Sequence, residues 1–376
     1  MAKNMNADNN TELSYPAIAD IRLQQLRFTL EDLKTDALVV TYLPNIRYLT
    51  NFSGTAATLF ITETEIHFVT DDRYEEQIKN ELYDLPGMFT HITRDVWDLL
   101  KKEKFLKNTS SIAFEADRTS YSDAVDIRNK MRPLKFKPAM AVVEPFTMPK
   151  STDELADIQK ACEIAEQVYE KMLKFIKPGI TEIDLAVEIA HQGRLLGSEA
   201  DAFPIIAVSG PNSAMVHGKP TDRVIKKGDI VLMDYGCTVN GFLSDITRTV
   251  AVGKATKEQK NIYKILHEAK EAAIAKIHPA VNGKLLDASA RDIIVEAGYG
   301  DNFQHSLGHG IGLVPHERPL ITFRTDTEII PEDAVLAVEP GIYIPDKYGI
   351  RIEDNIHVTR SGGKHLTNAP EELPIV

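Results

Sequence analysis

Apolar residues recur at helical spacing over residues 20–33, at Ile21, Leu23, Leu26, Leu30 and Leu33, which predicts a helix. Short apolar runs at 37–41, 58–62, 66–70 and 111–114 predict strands. Helices are expected near 74–82, 96–104 and 122–131. Strands alternating with helices predict an α/β layer for this first part. Titratable residues form no concentrated cluster in it.

The pattern changes at residues 145–151, where Pro145 and Pro149 interrupt regular structure. Ser151 and Glu154 then make a capping-box signature. Leu155, Ile158, Cys162, Ala165, Val168, Met172 and Phe175 follow at three- and four-residue spacing, and Pro178-Gly179 ends the helix. The domain boundary is placed here: a loosely ordered, Asn-rich tail over 1–15, a first domain over 16–147 and a second over 148–376. A further helix is predicted at 182–196, capped by Thr181. Strands are predicted at 204–209, 229–235 and 242–250, and helices at 257–277 and 284–297. The last third is rich in Gly and Pro and holds short strands.

The chain has 376 residues, 43% of them hydrophobic and 26% charged, enough for a sizeable core without disulfides. Its two cysteines, Cys162 and Cys237, make no disulfide framework and suit a reducing cytoplasm. The formal charge of −12 disfavours nucleic acid and anionic membrane as partners. No apolar run approaches the roughly 20 residues of a membrane span, and the N-terminus lacks the pattern of a signal peptide.

Candidate chemistry lies in the second domain. Asn240-Gly241 is a strong two-residue turn signal. With that turn, Val239 faces Phe242, Gly236 faces Asp245 and Asp234 faces Thr247, so Asp234 and Asp245 point to one side of a hairpin. Two converging carboxylates repel and tend to take up a proton unless a cation lies between them. A second cluster, 304–317, sets His309 and His316 among Gly308, Gly310 and Gly312, as expected where the backbone approaches a ligand. Glu339 and Glu353 stand in apolar settings that read as buried strand, and a buried carboxylate needs a cationic partner. One imidazole and four carboxylates suit Mn²⁺, Fe²⁺, Co²⁺ or Zn²⁺. The absence of thiolate ligands argues against a structural zinc site. Two such ions sharing a water would polarise a carbonyl. Cys237, beside this cluster, reads as a small buried residue.

In these segments the chain resembles the pita-bread metallopeptidases, in the Xaa-Pro aminopeptidase and prolidase branch. The likeness covers nearly everything after residue 20, including 48–56 and 70–74 in the first domain. It implies an α+β protein with an N-terminal α/β, creatinase-like, non-catalytic domain followed by a C-terminal pita-bread domain. By the same resemblance Asp234 would bind one metal and His309 with Glu339 the other, with Asp245 and Glu353 bridging and Glu339 also serving as proton shuttle. His217 and His316 would line the substrate pocket and steady the tetrahedral intermediate, and Arg351 and Tyr343 occupy accessory, substrate-binding positions. Two divalent ions, manganese first and cobalt or zinc as alternatives, and a homodimer are implied. Val216 stands where many relatives have Pro, and Val314-Pro315 where they have an acid and Val. Both departures lie beside substrate-facing positions.

The activity expected is therefore release of the N-terminal residue from peptides with proline second. Segments 54–56 and 369–373 are more similar to short bacterial Xaa-Pro aminopeptidases, which favours that reading over a prolidase restricted to dipeptides. A metal-free binding module of the same fold is disfavoured by the complete ligand set. A methionine aminopeptidase would leave the first domain without an explanation.

Overall fold

The computed structural model describes residues 15–102 and 109–376. The expected N-terminal tail, up to residue 14, and the end of the helix predicted to 104 lie outside the described residues. The chain forms two compact units, residues 1–146 and 147–376.

In the first unit, α1 (Tyr15–Asp32) leads into β1 (Ala37–Val40), α2 (Leu43–Thr50), β2 (Ala57–Thr62), β3 (Ile66–Thr70), α3 (Ile78–Glu81), β4 (Met88–Ile92), α4 (Val96–Lys102), β5 (Ser111–Glu115), α5 (Tyr121–Lys130) and β6 (Lys135–Ala139). The six strands form one mixed sheet in the order β4-β3-β2-β1-β5-β6. Val39, Phe60, Val69, Ile112 and Phe114 supply its core with Leu100 and Ile127 from α4 and α5, burying the continuous apolar runs seen in the sequence. A short helix, α6 (Glu144–Thr147), ends the unit. Several elements differ from expectation. α2, β4 and β6 were not foreseen, and the helix expected near 74–82 is a 3₁₀ turn at Asp72–Tyr74 followed by the four-residue α3.

The second unit repeats one theme. α7 (Thr152–Phe175) and α8 (Glu182–Leu195) pack on a sheet of β7 (Ile206–Ser209), β8 (Ile230–Tyr235) and β11 (Ile246–Ala251), ordered β11-β8-β7. Between β8 and β11 lies the small ribbon β9 (Thr238–Val239) and β10 (Phe242–Leu243). α9 (Lys257–Ile274) and α10 (Gly283–Glu296) then pack on a second sheet. Its strands are β12 (Gly308–Gly310), β13 (Glu317–Ile321), β14 (Val335–Val338), β17 (Asp354–Thr359) and β18 (Gly362–His365), ordered β13-β12-β14-β17-β18. The hairpin β15 (Gly341–Ile344) and β16 (Tyr348–Arg351) forms a separate two-stranded sheet. Ser151, Thr181 and Thr256 all form capping boxes, each satisfying two of the donors a helix start leaves open.

Candidate metal centre

The hairpin register holds as predicted. Val239 pairs with Phe242 and Asp234 with Thr247. Asn240 and Gly241 both take positive φ, 47° and 82°, as a type I′ turn requires. The strand expected at 242–250 is nonetheless broken at Ser244-Asp245. Opposite that break, a Cβ on Gly236 would meet the Ser244 carbonyl oxygen at 1.8 Å. The glycine therefore lets the two backbones close while Asp234 and Asp245 stay on one face.

The five singled-out residues come from strand ends in both sheets. Asp234 is in β8, Asp245 precedes β11, His309 is in β12, Glu339 follows β14, and Glu353 lies between β16 and β17. Glu339 and Glu353 thus sit just beyond strands rather than inside them, which corrects the strand assignment. A backbone hydrogen bond and a side chain tie the sheets together here: Glu353 N donates to Thr247 O at 3.2 Å, and Asp245 N donates to Asn355 Oδ1 at 2.9 Å.

Ligand atoms of Asp245, His309 and Glu353 lie within 4.8 Å of one another. His309 Nε2 stands 3.8 Å from Asp245 Oδ2 and 3.7 Å from Glu339 Oε1. Its Nδ1 is 3.0 Å from the Gly310 carbonyl oxygen, a contact that fixes the tautomer with the proton on Nδ1 and leaves the Nε2 lone pair toward the acids. Asp234 Oδ2 accepts from Arg351 Nη2, whereas its Oδ1 is buried without a hydrogen-bond partner. Burial, reinforced by the neighbouring carboxylates, pushes Asp245 and Glu353 well above the usual carboxylate range. Burial likewise raises Glu339 to about 8, against the pull of Arg351. Burial and the neighbouring His316 lower His309 to about 3. This is the signature of acids crowded where only a cation makes their charges tolerable.

The remaining candidates surround this cage. His316 sits at an exposed position with its ring edge-on to His309, centroids 4.3 Å apart. His217 is exposed on the loop after β7, close enough to His316 and His305 for its charge to act on both rings. Arg351 and Tyr343 are buried, only 2% and 4% exposed. Arg351 Nη1 donates to Tyr343 OH at 2.7 Å and to Val216 O at 3.2 Å, and its Nε donates to Thr247 Oγ1 at 3.0 Å. Three participants had no assignment from sequence. Thr247 Oγ1 donates to Glu353 Oε2 at 2.7 Å, His305 Nε2 lies 3.0 Å from Tyr343 OH, and Asn355 holds the backbone of Asp245. His305 belongs to the glycine-rich histidine segment and was readable there; nothing in the local sequence distinguishes Thr247 or Asn355. Cys162 and Cys237 are both free and buried, and burial raises the Cys237 thiol to about 11, away from the reactive thiolate form.

Paired helices on two sheets, with the cage between the strand ends, define a pita-bread architecture for the second unit, which follows an α/β first unit along the chain. Residues 156–360 match the profile of metallopeptidase family M24, and residues 22–146 match the creatinase/prolidase N-terminal domain. The chain belongs to metallopeptidase family M24. It is 34% identical to a Xaa-Pro dipeptidase of Pyrococcus furiosus over 94% of its own length and 99% of the relative's. A solved structure of a Xaa-Pro dipeptidase from Bacillus anthracis is 36% identical, covers 95% of this chain and 100% of that one, and superposes with a TM-score of 0.90. The X-Pro aminopeptidase of Thermotoga maritima is 35% identical, with 94% and 99% covered and a TM-score of 0.87.

The residues present fit divalent metal. Asp234 Oδ1 has no other partner, the His309 lone pair is aimed at the acids, and the donors are oxygen and imidazole nitrogen. Among the described residues, no helix is long and apolar enough to cross a membrane.

Proposed function

We propose that this chain is a two-metal hydrolase cleaving the bond before proline, with Xaa-Pro dipeptides as its preferred substrates. The observation that carries this reading is the convergence of Asp245, His309 and Glu353 within 4.8 Å, with Glu339 and the unpartnered oxygen of Asp234 beside them. Asp234, Asp245, His309, Glu339 and Glu353 would hold two ions, with manganese as the first choice and cobalt or zinc as alternatives. Their contribution is Lewis acidity at the scissile carbonyl and acidification of the attacking water.

The chain's own groups do the rest. Glu339 takes the water's proton on its carboxylate and delivers it to the proline nitrogen as the bond breaks. His316 and His217, at the exposed side of the cage, donate to the carbonyl oxygen as negative charge develops. Arg351 keeps Asp234 in place through Oδ2 and holds the Val216 carbonyl, and Tyr343 braces Arg351 from behind. Val216 and Pro315, next to the two histidines, shape side-chain preference.

Names of the relatives favour the dipeptidase: both the Pyrococcus furiosus enzyme and the Bacillus anthracis structure carry that activity in name. The aminopeptidase is the second reading, supported by the Thermotoga maritima structure and by the local likeness at 54–56 and 369–373. Kinetics on one Xaa-Pro dipeptide and its Xaa-Pro-Xaa tripeptide, at equal manganese loading, decide between them. A dipeptide kcat/KM at least about tenfold higher, about 1.4 kcal/mol of discrimination, is expected. Preference for the tripeptide establishes the aminopeptidase, and cleavage of neither removes both.

A further inference from the structure

We propose that Glu182 is a positioning residue for this reaction, holding the loop that carries His217 at the substrate side of the cage. The inference rests on the reading above, in which His217 donates to the reacting carbonyl.

Glu182 opens α8 and is fully buried. Both of its oxygens are used. Oε1 accepts from Ser209 N at 2.7 Å, Ser209 Oγ at 2.8 Å and Asn212 Nδ2 at 3.2 Å. Oε2 accepts from Thr221 N at 3.1 Å, Thr221 Oγ1 at 2.7 Å and Asn212 Nδ2 at 3.1 Å. One carboxylate thus grips the entry, the middle and the exit of loop 209–221. The start of the helix adds two bonds of the opposite sense: Glu182 N donates to Arg223 O and Ile183 N to Thr221 O, each at 3.1 Å. Neutral donors directed at an ionised acceptor make strong, geometrically exacting bonds.

Beyond that base the loop reaches the centre. Ser213 Oγ accepts from Gly349 N at 2.9 Å, and Val216 O accepts from Arg351, the same side chain that holds Asp234. A Cβ on Gly218 would meet Val208 Cγ1 at 3.0 Å, and one on Gly349 would meet the Ser213 carbonyl oxygen at 2.2 Å. His217 lies at an exposed position between these fixed points, so its placement is inherited from the base of the loop. Glutamine at 182 keeps the size but turns one acceptor into a donor, facing N–H and O–H groups that already donate. The base of the loop then loosens while all five candidate ligands remain.

A double-mutant cycle tests this. kcat/KM for a Xaa-Pro dipeptide is measured at saturating manganese for the full-length wild type, Glu182→Gln, His217→Ala and the pair. We expect losses of about 100-fold for His217→Ala, in the range of removing one donor to a developing oxyanion, and about tenfold for Glu182→Gln. The pair should fall no more than about twofold below His217→Ala alone, because the two act through one group. Bound metal should be unchanged in every variant. In the zinc-loaded protein the His217 Cε1–H resonance, assigned by its loss in His217→Ala, should shift or broaden in Glu182→Gln. Thr221→Val, which removes a single donor to Oε2, should couple to His217 in the same way and serves if Glu182→Gln does not fold. Losses that multiply, or an unchanged His217 resonance, overturn the assignment. A wild type that cleaves no Xaa-Pro peptide instead removes the proposed activity and, with it, this inference.

Discussion

Thr247 links both sides of the cage, since its hydroxyl donates to Glu353 Oε2 and accepts from Arg351 Nε. Partners of ligating carboxylates fix their orientation, and losing one costs about 10–100-fold in metal affinity. Thr247→Val is therefore expected to weaken metal binding by that factor in a chelator competition titration while leaving the fold intact. Unchanged affinity would show that Glu353 is held by its backbone alone. Residues of this kind mark the limit of what the sequence discloses. Asp234, Asp245, Glu339 and Glu353 were legible because a carboxylate amid apolar residues is costly without a cation. His309 was legible through its glycine neighbours. Thr247 and Asn355 were not, because each bonds a partner more than 100 residues away along the chain, and only the meeting of two sheets gives them a role.

Register is the decisive property among the elements. A one-residue slip in the β8–β11 hairpin would send Asp234 and Asp245 to the opposite face, and Asn240-Gly241 prevents it. Gly236→Ala is expected to force the hairpin apart at Ser244, lowering stability by about 1–3 kcal/mol as overpacking does. It should also reduce metal bound per chain. Thermal melting with elemental analysis checks both, and a wild-type metal content would separate hairpin geometry from the cage. This hairpin was readable because its turn chemistry is local. The elements that escaped notice have local reasons too. α2 begins with a proline among its first positions, where proline starts a helix rather than breaking one. β6 carries Pro138 and two lysines on a sheet edge, so it lacks an apolar signature. β4, also an edge strand, is half exposed.

Across the whole molecule, the second unit is held behind its centre by buried charge. Asp354, next to Glu353, accepts from Lys270 Nζ, from Arg248 Nη2 at 2.9 Å and from Thr367 Oγ1 at 2.8 Å, and all four residues are buried. Arg248 also donates to Thr247 O at 3.1 Å. Burial opposes the Asp354 charge, yet Arg248 and Lys270 outweigh it and hold the carboxyl down at about 2. A lowered folded-state pKa stabilises the fold above the unfolded value near 4, and that contribution disappears as pH falls toward 2. Lys270→Met removes one of the two cations on Asp354 and leaves Arg248 in place, so it should cost about 3 kcal/mol at neutral pH, the low end for breaking a buried ion pair. The deficit relative to wild type should shrink as the pH drops below about 4. Denaturant unfolding at both pH values reads it directly, and a deficit independent of pH would assign the loss to packing. The α/β first unit was visible in the alternation of elements, and the plan of the second unit only through the family resemblance of its motifs. This charge network was not, since Arg248, Lys270 and Asp354 sit in three separate elements with ordinary local patterns.

The central claim concerns ions held by five side chains, and it is tested most directly by metal counting. Full-length wild type, Asp245→Asn and His309→Ala are stripped with a chelator, reloaded with manganese and desalted. Bound metal and Xaa-Pro dipeptide cleavage are then measured on the same samples. About two equivalents and restored cleavage are expected for the wild type, with both quantities sharply reduced in each variant. Variants that bind and cleave like the wild type, or a stripped wild type that cleaves without any metal, would contradict the account.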